Sequence, residues 1–465
     1  MVAAQETMAR FSPLDGSLVA EVTLTPASKI PEAVARSRQA FPGWSQTTIE
    51  SRGRILRKAA QLIEARSDEL AEVVRRETGK PLSASLGEIG GAVEMGYLVA
   101  SHGRHEIGTL LPSAVAGKHV RVQRIPRGVA ALIVTYNAPF PNYAWKCFPA
   151  LMAGNVAILK PSLATPRSAE LFVSILHEAG VPQDALQLVH GDGETGGALI
   201  DAGVELVSFT GSYPTGQKVV AASALTLAKT VIELGGSNPL IVCADADLSK
   251  AADAALDSAF SNAGQRCSSA SRIVIEHSVY QEFVNILKKK AAEVSFGVEP
   301  DADVSTLIDE LSAQSFENFL EQVKAHGGRV ERVGKPSGSV KGIAALVQPA
   351  IIDGLDAGTH LASSEIFGPA TRLFAFTGDE QAVEIANSSE YGLTAAVWSS
   401  DIARAERIVS AIRAGVININ GPTHGAEVNM PFGGLKNSGN GSRDAGIHAI
   451  DQYADVQVVS TFLGV

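Results

Sequence analysis

Val129-Ala-Ala-Leu-Ile-Val134 is the first of several short, nearly uninterrupted apolar runs that alternate with stretches of helical pattern. The runs that follow it as predicted strands are residues 156–160, 186–189, 206–210 and 230–234. Continuous apolar strands separated by helices indicate a parallel sheet that is covered on both faces. The pattern therefore predicts a doubly wound nucleotide-binding architecture, whose ligand lies beyond the carboxyl ends of the strands.

A second alternating series begins at Pro239-Leu-Ile-Val-Cys243 and predicts a second α/β domain. The clearest predicted strands are 271–275, 393–398 and 416–420, with others near 329–333 and 344–352. The predicted helices are 246–259 and 279–292, one near 315–326, one near 379–388, and 401–412. Residues 293–314 read as a loop with short elements. Before residue 129, short strands in 11–24 flank the turn signal Pro13-Leu-Asp-Gly16, and 28–94 are predicted to be helical.

Residues 117–126 alternate polar and apolar side chains, which predicts a half-exposed strand that needs a partner. The tail 451–461 alternates in the same way and is predicted to pair with the edge of another chain. The predicted organisation is two doubly wound α/β domains, formed by residues 1–114 with 127–235 and by 236–440, plus a small β extension of residues 115–126 and 441–465.

Composition excludes several classes of protein. The 465 residues are 45% hydrophobic and 19% charged with a net charge of −10, which argues against a nucleic-acid surface. No apolar run reaches the roughly 18 residues of a membrane helix, and the amino terminus lacks a signal-peptide pattern. The three cysteines form neither a disulfide framework nor a CxxC zinc pair, so no metal site is predicted. The expected location is the cytoplasm.

Asn262-Ala-Gly-Gln-Arg-Cys267-Ser-Ser carries the candidate nucleophile. A free cysteine is often an inert core residue, but a neighbouring cation lowers a thiol pKa and so enriches the reactive thiolate. Glu233 lies 34 residues earlier, in a Gly-rich apolar setting that raises a carboxyl pKa toward the range useful for activating water. The Asn137 side-chain amide is a suitable donor to a developing oxyanion. Together they predict covalent catalysis at a carbonyl carbon.

Seven motifs in order resemble those of the NAD(P)-dependent aldehyde dehydrogenase superfamily over nearly the whole chain. They are Asn137-Ala-Pro-Phe-Pro, Ile158-Leu-Lys-Pro-Ser162, Phe209-Thr-Gly-Ser212, Glu233-Leu-Gly-Gly236, Gly264-Gln-Arg-Cys267, Glu365-Ile-Phe-Gly-Pro369 and Pro431-Phe-Gly-Gly-Leu-Lys436-Asn-Ser-Gly439. Any one of them is weak evidence, but the order and spacing of all seven are specific.

The resemblance implies a role for each matching residue. Cys267 is the expected nucleophile, Asn137 the oxyanion donor and Glu233 the base that activates the deacylating water. Lys160 is expected on the adenosine ribose and Glu365 on the nicotinamide ribose. The remaining expected cofactor contacts are Ser162, Gly211, Ser212, Phe367, Tyr136 and Leu234. The first domain then binds NAD or NADP, and the β extension joins subunits into a homodimer or homotetramer.

One departure from the family pattern concerns the cofactor. Many NAD-preferring members have an acidic residue three positions after the strand-end lysine, where this chain has Leu163. An acidic side chain there would bond the ribose hydroxyls and repel a 2′-phosphate. We therefore expect NADP to be accepted or preferred.

The substrate pocket is expected to be lined by residues that flank Asn137 and Cys267. The candidates are Ala138, Asn142, Tyr143, Trp145, Arg266 and Ser268, with the loop 423–430 at the mouth. Arg266 would suit a substrate carboxylate, as in a semialdehyde, or it forms an ion pair or tunes the thiol. Trp145 equally suits an aromatic aldehyde.

The predicted function is oxidation of an aldehyde to the carboxylic acid through a thiohemiacetal and a thioester on Cys267, with hydride transfer to the nicotinamide. One alternative is a coenzyme A-acylating enzyme, which Glu233 argues against. The other is a non-catalytic binding or scaffold protein of the same fold, which the combination of Cys267, Glu233 and Asn137 argues against.

Overall fold

The computed structural model describes residues 6–104, 108–446 and 448–463. Up to residue 126 it contains a β-hairpin, four helices and two further strands. These are β1 (Thr7–Phe11), β2 (Leu18–Thr23), α1 (Ile30–Ser45), α2 (Ile49–Ala65), α3 (Ser67–Thr78), α4 (Leu82–Ser101), β3 (Gly108–Leu111) and β4 (Lys118–Pro126). The hairpin turn contains the predicted Pro13–Gly16 signal, and Gly16 has a φ of +72°, which glycine adopts without strain.

Residues 129–233 form a parallel five-stranded sheet with its intervening helices. Its elements are β5 (Val129–Ile133), α5 (Pro139–Ala153), β6 (Val156–Lys160), α6 (Pro166–Ala179), β7 (Leu186–Leu188), α7 (Gly193–Asp201), β8 (Leu206–Thr210), α8 (Tyr213–Ala224) and β9 (Lys229–Glu233). The strand order is β7-β6-β5-β8-β9 and every pair is parallel. The order reverses beside β5, which opens a crevice at the carboxyl ends of β5 and β8. The predicted doubly wound architecture is confirmed.

Residues 238–436 form a second sheet of seven strands with its helices. Its elements are β10 (Asn238–Val242), α9 (Leu248–Phe260), β11 (Ala270–Glu276), α10 (Tyr280–Ala291), β12 (Ser295–Gly297), α11 (Glu310–Ala325), β13 (Arg329–Arg332), β14 (Lys335–Ser337), β15 (Ala350–Asp353), α12 (His360–Ser363), β16 (Ala370–Phe376), α13 (Asp379–Asn387), β17 (Tyr391–Gly392), β18 (Thr394–Trp398), α14 (Ile402–Ala411), β19 (Val416–Ile419) and β20 (Leu435–Lys436). The order is β13-β15-β16-β11-β10-β18-β19, parallel except between β13 and β15. Short pairs join β12 to β14 and β17 to β20.

Two predicted boundaries in this region are wrong. The strand expected near 344–352 begins only at Ala350, because Pro349 has no N–H to donate to a ladder. The helix expected near 315–326 begins at Glu310, inside the predicted loop. There the Asp309 side chain accepts a hydrogen bond from the Ser312 N–H at 2.7 Å and caps the helix.

The β extension is a three-stranded antiparallel sheet. The chain ends with α15 (Ala449–Gln452) and β21 (Ala454–Phe462), and β21 pairs with β4 over its whole length. The strand order is β21-β4-β3. β21 therefore pairs with β4 of its own chain along one edge, while its other edge has no strand partner in the described chain, and the predicted pairing of the tail with another chain stays a prediction.

The two large sheets are joined by a short crossing. β9 of the first sheet ends at Glu233, and β10 of the second begins at Asn238. The carboxyl end of the first sheet therefore lies directly against the second. The predicted domain boundaries, between residues 235 and 236 and between residues 440 and 441, stay predictions.

Across the described ranges, every helix is too short or too polar to cross a bilayer. Within those same ranges, no cluster of three or more His, Cys, Asp or Glu side chains is arranged to hold a metal ion.

Candidate active site

A cavity of about 700 Å³ lies at the carboxyl ends of β5, β8 and β9 and extends toward α4, α5 and the loop after β19. Thirteen of the predicted site residues line it, together with Ala138. They are Tyr136, Asn137, Asn142, Trp145, Gly211, Ser212, Glu233, Leu234, Arg266, Cys267, Ser268, Glu365 and Phe367. The predicted nucleophile, base, oxyanion donor and most cofactor contacts are thus brought together. From the loop predicted at the mouth, Thr423, His424, Gly425, Ala426 and Val428 also line the cavity.

Cys267 sits in a turn whose backbone requires unusual conformations. Asn262, Ala263 and Gly264 have φ values of 53°, 52° and 68°. A Cβ on Gly264 would lie 2.1 Å from the carbonyl oxygen of Gly368, so only glycine fits against the Glu365 loop. The motif that contains Cys267 therefore packs directly on the motif that contains Glu365.

Asn238 supports the Cys267 turn through hydrogen bonds, and the sequence did not predict this residue as part of the site. Its buried amide donates to the carbonyl oxygens of Cys267 at 2.7 Å and Ser269 at 2.9 Å. Its side-chain oxygen accepts a hydrogen bond from the Thr394 N–H at 3.0 Å. A polar residue at the start of an otherwise apolar strand was the available signal.

The two glycines of Glu233-Leu-Gly-Gly236 allow Glu365 and Cys267 to approach. A Cβ on Gly235 would lie 2.2 Å from Glu365 Oε2, and one on Gly236 would lie 2.4 Å from the Cys267 carbonyl oxygen. The Gly236 N–H donates to Glu365 Oε1 at 3.1 Å. Burial raises the pKa of Glu365 to about 7, and this hydrogen bond opposes the shift.

The electrostatic setting of Cys267 differs from the prediction. Burial raises the pKa of the Cys267 thiol well above its ordinary value of 9.0, and the charges of Glu233 and Glu365 act in the same direction. The net shift is therefore opposite to the expected one, because burial and the two carboxylates outweigh any lowering by the adjacent cation.

Glu233 is a buried carboxylate without hydrogen-bond partners. It is 4% exposed, and within the described chain neither of its carboxylate oxygens accepts a hydrogen bond. Burial raises its pKa well above 4.5, with the charge of Asp444 adding to the shift and that of Lys146 opposing it. A desolvated carboxylate that faces a cavity is suited to take a proton from water.

Asn137 is fixed between the first sheet and the Cys267 turn. Its side-chain N–H donates to the Gln265 carbonyl oxygen at 2.9 Å. Its own carbonyl oxygen accepts from Lys80 Nζ at 2.8 Å and from Asn262 Nδ2 at 3.2 Å. An amide nitrogen carries two hydrogens, so one remains to donate to an oxyanion beside Cys267.

Replacing Asn137 by alanine is expected to lower kcat about 10²- to 10³-fold, because one preorganised oxyanion donor is lost. The measurement is steady-state turnover with an aldehyde and the cofactor. Asn285→Ala, on the exposed face of α10, is the control. An unchanged kcat in Asn137→Ala would contradict the assignment.

The cofactor side of the cavity combines an aromatic pair with an open helix end. Tyr136 and Phe367 pack edge to face with ring centroids 6.1 Å apart. Gly211 and Ser212 precede α8, whose first turn is not capped by any described side chain. The free N–H groups of a helix start attract phosphate. A Cβ on Gly216 would lie 2.5 Å from Leu234, which keeps α8 close to β9.

Lys160 and Ser162 do not line this cavity, although Lys160 ends β6 beside β5. Lys160 is buried, and among the described residues its ammonium makes one hydrogen bond, to the Pro161 carbonyl oxygen at 3.2 Å. Burial lowers its pKa to about 8. The Ser162 hydroxyl accepts from the Ala164 N–H at 3.2 Å, which is a turn contact. An under-bonded cation at the sheet edge fits a ribose or phosphate ligand.

Tyr143 is wrongly predicted as a pocket residue. It is 0% exposed, and its hydroxyl bonds to Thr165 while its ring packs on Phe140 and Phe172. On α5, Asn142 and Trp145 are three residues apart and share the cavity face, whereas Tyr143 is rotated about 100° away from Asn142.

Two further residues lie behind Glu233 and were missed. Lys146 Nζ is fully buried and contacts Asp444 Oδ2 at 2.8 Å and the Ser208 hydroxyl at 2.9 Å. Asp444 lines the cavity, and its Oδ1 has no partner in the described chain. A lysine inside the apolar stretch of α5 was the signal, since buried lysines are almost always paired.

Comparisons with known proteins agree with this geometry. The model of the aldehyde dehydrogenase family matches residues 1–459. The betaine aldehyde dehydrogenase of Rhizobium etli (strain CIAT 652) is 32% identical over 97% of this chain and 93% of its own. That of Bacillus subtilis (strain 168) is 34% identical over 92% and 88%.

Solved structures agree as well. The betaine aldehyde dehydrogenase of Staphylococcus aureus in complex with NAD+ superposes with a TM-score of 0.95 at 28% identity, over 99% of this chain and 92% of that chain. The aldehyde dehydrogenase of Brucella melitensis biovar abortus 2308 gives 0.94 at 32%, over 99% and 95%.

The chain belongs to the aldehyde dehydrogenase family. The predicted class of enzyme, an NAD(P)-dependent aldehyde dehydrogenase, is confirmed.

Proposed function

We propose that the protein oxidises an aldehyde to the carboxylic acid through a thioester on Cys267, with NAD or NADP as acceptor. The observation that carries this proposal is one cavity lined by Cys267, Glu233 and Asn137 together with the open start of α8. We assign the first domain, residues 1–114 and 127–235, to the cofactor and residues 236–440 to catalysis.

In the first half of the reaction, the Cys267 thiol loses its proton to solvent, and the thiolate attacks the aldehyde carbon. A C–S bond forms while the carbonyl electrons move to oxygen. The oxygen accepts hydrogen bonds from the Asn137 side-chain amide and the Cys267 N–H. When bound, the nicotinamide supplies the acceptor for the hydride that leaves this carbon.

In the second half, Glu233 takes a proton from water, and the oxygen of that water attacks the thioester carbon. The C–S bond breaks, the thiolate of Cys267 is restored and the carboxylic acid leaves. Neither carboxylate oxygen of Glu233 accepts a hydrogen bond from the described residues, which supports this role because both oxygens are available.

The residues that would hold the cofactor are Lys160 at the adenosine ribose, the start of α8 at the pyrophosphate, and Glu365 with Phe367 at the nicotinamide end. Gly235 supports the fit, because any larger residue there would push Glu365 out of position. The Staphylococcus aureus structure contains NAD+. Leu163 in this chain lacks the negative charge that would repel a 2′-phosphate, so we propose that NADP is also accepted.

The test is the absorbance of reduced nicotinamide, with NAD and NADP each measured against aliphatic, aromatic and carboxylate-bearing aldehydes. We expect turnover to a free carboxylic acid. A product that forms only with coenzyme A, and is a thioester, would contradict the hydrolytic half. No turnover with any pair would favour a non-catalytic protein.

We also propose a homodimer or homotetramer, built on the sheet of β21, β4 and β3. Its strands expose large apolar side chains, including Leu110 at 80%, Val456 at 71% and Val458 at 60%. Apolar edge strands of this kind associate with other strands unless they are covered. A monomer in analytical ultracentrifugation would contradict this assembly.

The three free cysteines support a cytoplasmic location.

A further inference from the structure

Arg266 lies on the wall of the reaction cavity. Its side chain makes no hydrogen bond and no ion pair to the rest of the described chain, although the residue lines the cavity beside Cys267. Its charge acts on Glu88, Lys80 and Asp257, as the pKa shifts of those groups record. Glu88 lies on α4 and Asp257 on α9, so Arg266 shares this part of the cavity wall with those two helices.

Neither nearby carboxylate bonds to Arg266. Glu88 on α4 forms an ion pair with the buried Lys80. Asp257 on α9 contacts His424 at 3.0 Å. The guanidinium N–H groups of Arg266 therefore have no acceptor among the described residues, and a ligand carboxylate that enters the cavity would supply one.

A second donor lines the same cavity. Asn142 Nδ2 is buried and has no hydrogen-bond partner within the described residues. The walls between these donors leave space, because a Cβ on Gly87 or Gly91 would meet no atom within 4 Å. A buried donor without an acceptor costs free energy, which a ligand oxygen would remove.

We infer that the site takes aldehydes that carry a carboxylate, and that Arg266 and Asn142 bind this carboxylate while Cys267 attacks the aldehyde carbon. This rests on the proposed function and names its substrate class. The relatives from Rhizobium etli and Bacillus subtilis are named for betaine aldehyde, which carries a quaternary ammonium. Such a cation would be repelled by Arg266, so we expect this chain to disfavour it.

The experiment compares 4-oxobutanoate, its uncharged methyl ester and betaine aldehyde as substrates of the wild type and Arg266→Gln. The measured quantity is the ratio of kcat/KM for the acid to that for the ester within each variant, so that losses common to both cancel. We expect this ratio to be about 10 to 100 in the wild type and to fall toward one in Arg266→Gln. The fall should come mainly from a higher KM for the acid. Arg266→Lys should keep part of the ratio. Arg57→Gln, exposed on α2, is the matched control and should keep it fully.

A binding measurement separates this inference from catalysis. Succinate should slow the alkylation of Cys267 by iodoacetamide in the wild type and not in Arg266→Gln, whereas neutral succinamide should protect neither. If Arg266 instead tunes the thiol, the substitution would lower turnover of acid and ester alike and leave their ratio unchanged, which would overturn the inference.

The two proposals fail in different ways. Turnover of every aldehyde with an acid-to-ester ratio near one, or with betaine aldehyde preferred, would overturn the carboxylate site and leave the aldehyde dehydrogenase activity intact. Absence of turnover with all three aldehydes and both cofactors, while succinate still protects Cys267, would overturn the proposed activity and support the carboxylate site.

Discussion

Cys267→Ala is expected to lower aldehyde oxidation by at least about 10⁴-fold, because the substitution removes the atom that forms the covalent bond to the substrate. Asn137, Glu233 and the cofactor contacts remain in such a variant, but without Sγ no thioester forms. We expect the free energy of unfolding to change by no more than about 1 kcal/mol, since Cys267 is partly exposed to the cavity.

The measurement is turnover of the best aldehyde and cofactor pair, with a urea titration to confirm folding. Cys243→Ala is the matched control, because Cys243 is fully buried on β10's carboxyl side and takes no part in the site. Full activity in Cys243→Ala and none in Cys267→Ala is the expected pattern. Retained turnover in Cys267→Ala would remove the covalent mechanism altogether.

Alkylation of the same variants tests the electrostatics of the thiol. Because the pKa of Cys267 is raised, the thiolate fraction is small near neutral pH, and the rate of reaction with iodoacetamide should climb as the pH rises through 9 and above. Cys147 and Cys243 are 0% exposed, so one label per native chain is expected. A fast rate that is constant below pH 7 would show that a cation lowers this pKa after all.

Glu233→Gln is expected to separate the two halves of the reaction. Acylation needs Cys267, the oxyanion donors and the oxidised cofactor but not Glu233, so reduced cofactor should appear in a burst of about one equivalent per active site. Hydrolysis then lacks its base and should slow about 10²- to 10⁴-fold. Rapid-mixing absorbance gives the burst, and intact-protein mass spectrometry should detect the acyl adduct on Cys267.

The pH profile provides a second test of Glu233. The base acts when deprotonated, and its pKa is raised by burial. The hydrolysis rate should therefore be lost as the pH falls through a pKa well above 4.5, and this limb should vanish in Glu233→Gln. Glu384→Gln, exposed on α13, is the isosteric control and should keep the acidic limb of the pH profile. A burst without a slow phase in Glu233→Gln would mean that another group activates water.

Much of the first sheet followed from local pattern. Strands such as Val156–Lys160 are buried along their whole length, so their apolar runs stand out and were predicted within a residue or two. Element boundaries that depend on a single capping or backbone contact could not be predicted from the local pattern. The start of α11 depends on Asp309 as a cap, and the start of β15 depends on Pro349.

Site residues divide in the same way. Cys267, Glu233 and Asn137 were identified because their chemistry is visible in the residue type and motif. Tyr143 was misassigned, because its direction on α5 is decided by the aromatic cluster it packs into.

The sequence by itself determined the class of fold, the order of the motifs and the identity of the nucleophile, base and oxyanion donor, since hydrophobic period and residue chemistry are local properties. Only the tertiary structure decided that β21 pairs with its own chain, that Asn238 supports the Cys267 turn, and that burial beside two carboxylates raises the thiol pKa. These depend on distances between residues far apart in the chain, and desolvation and Coulomb energy are functions of those distances.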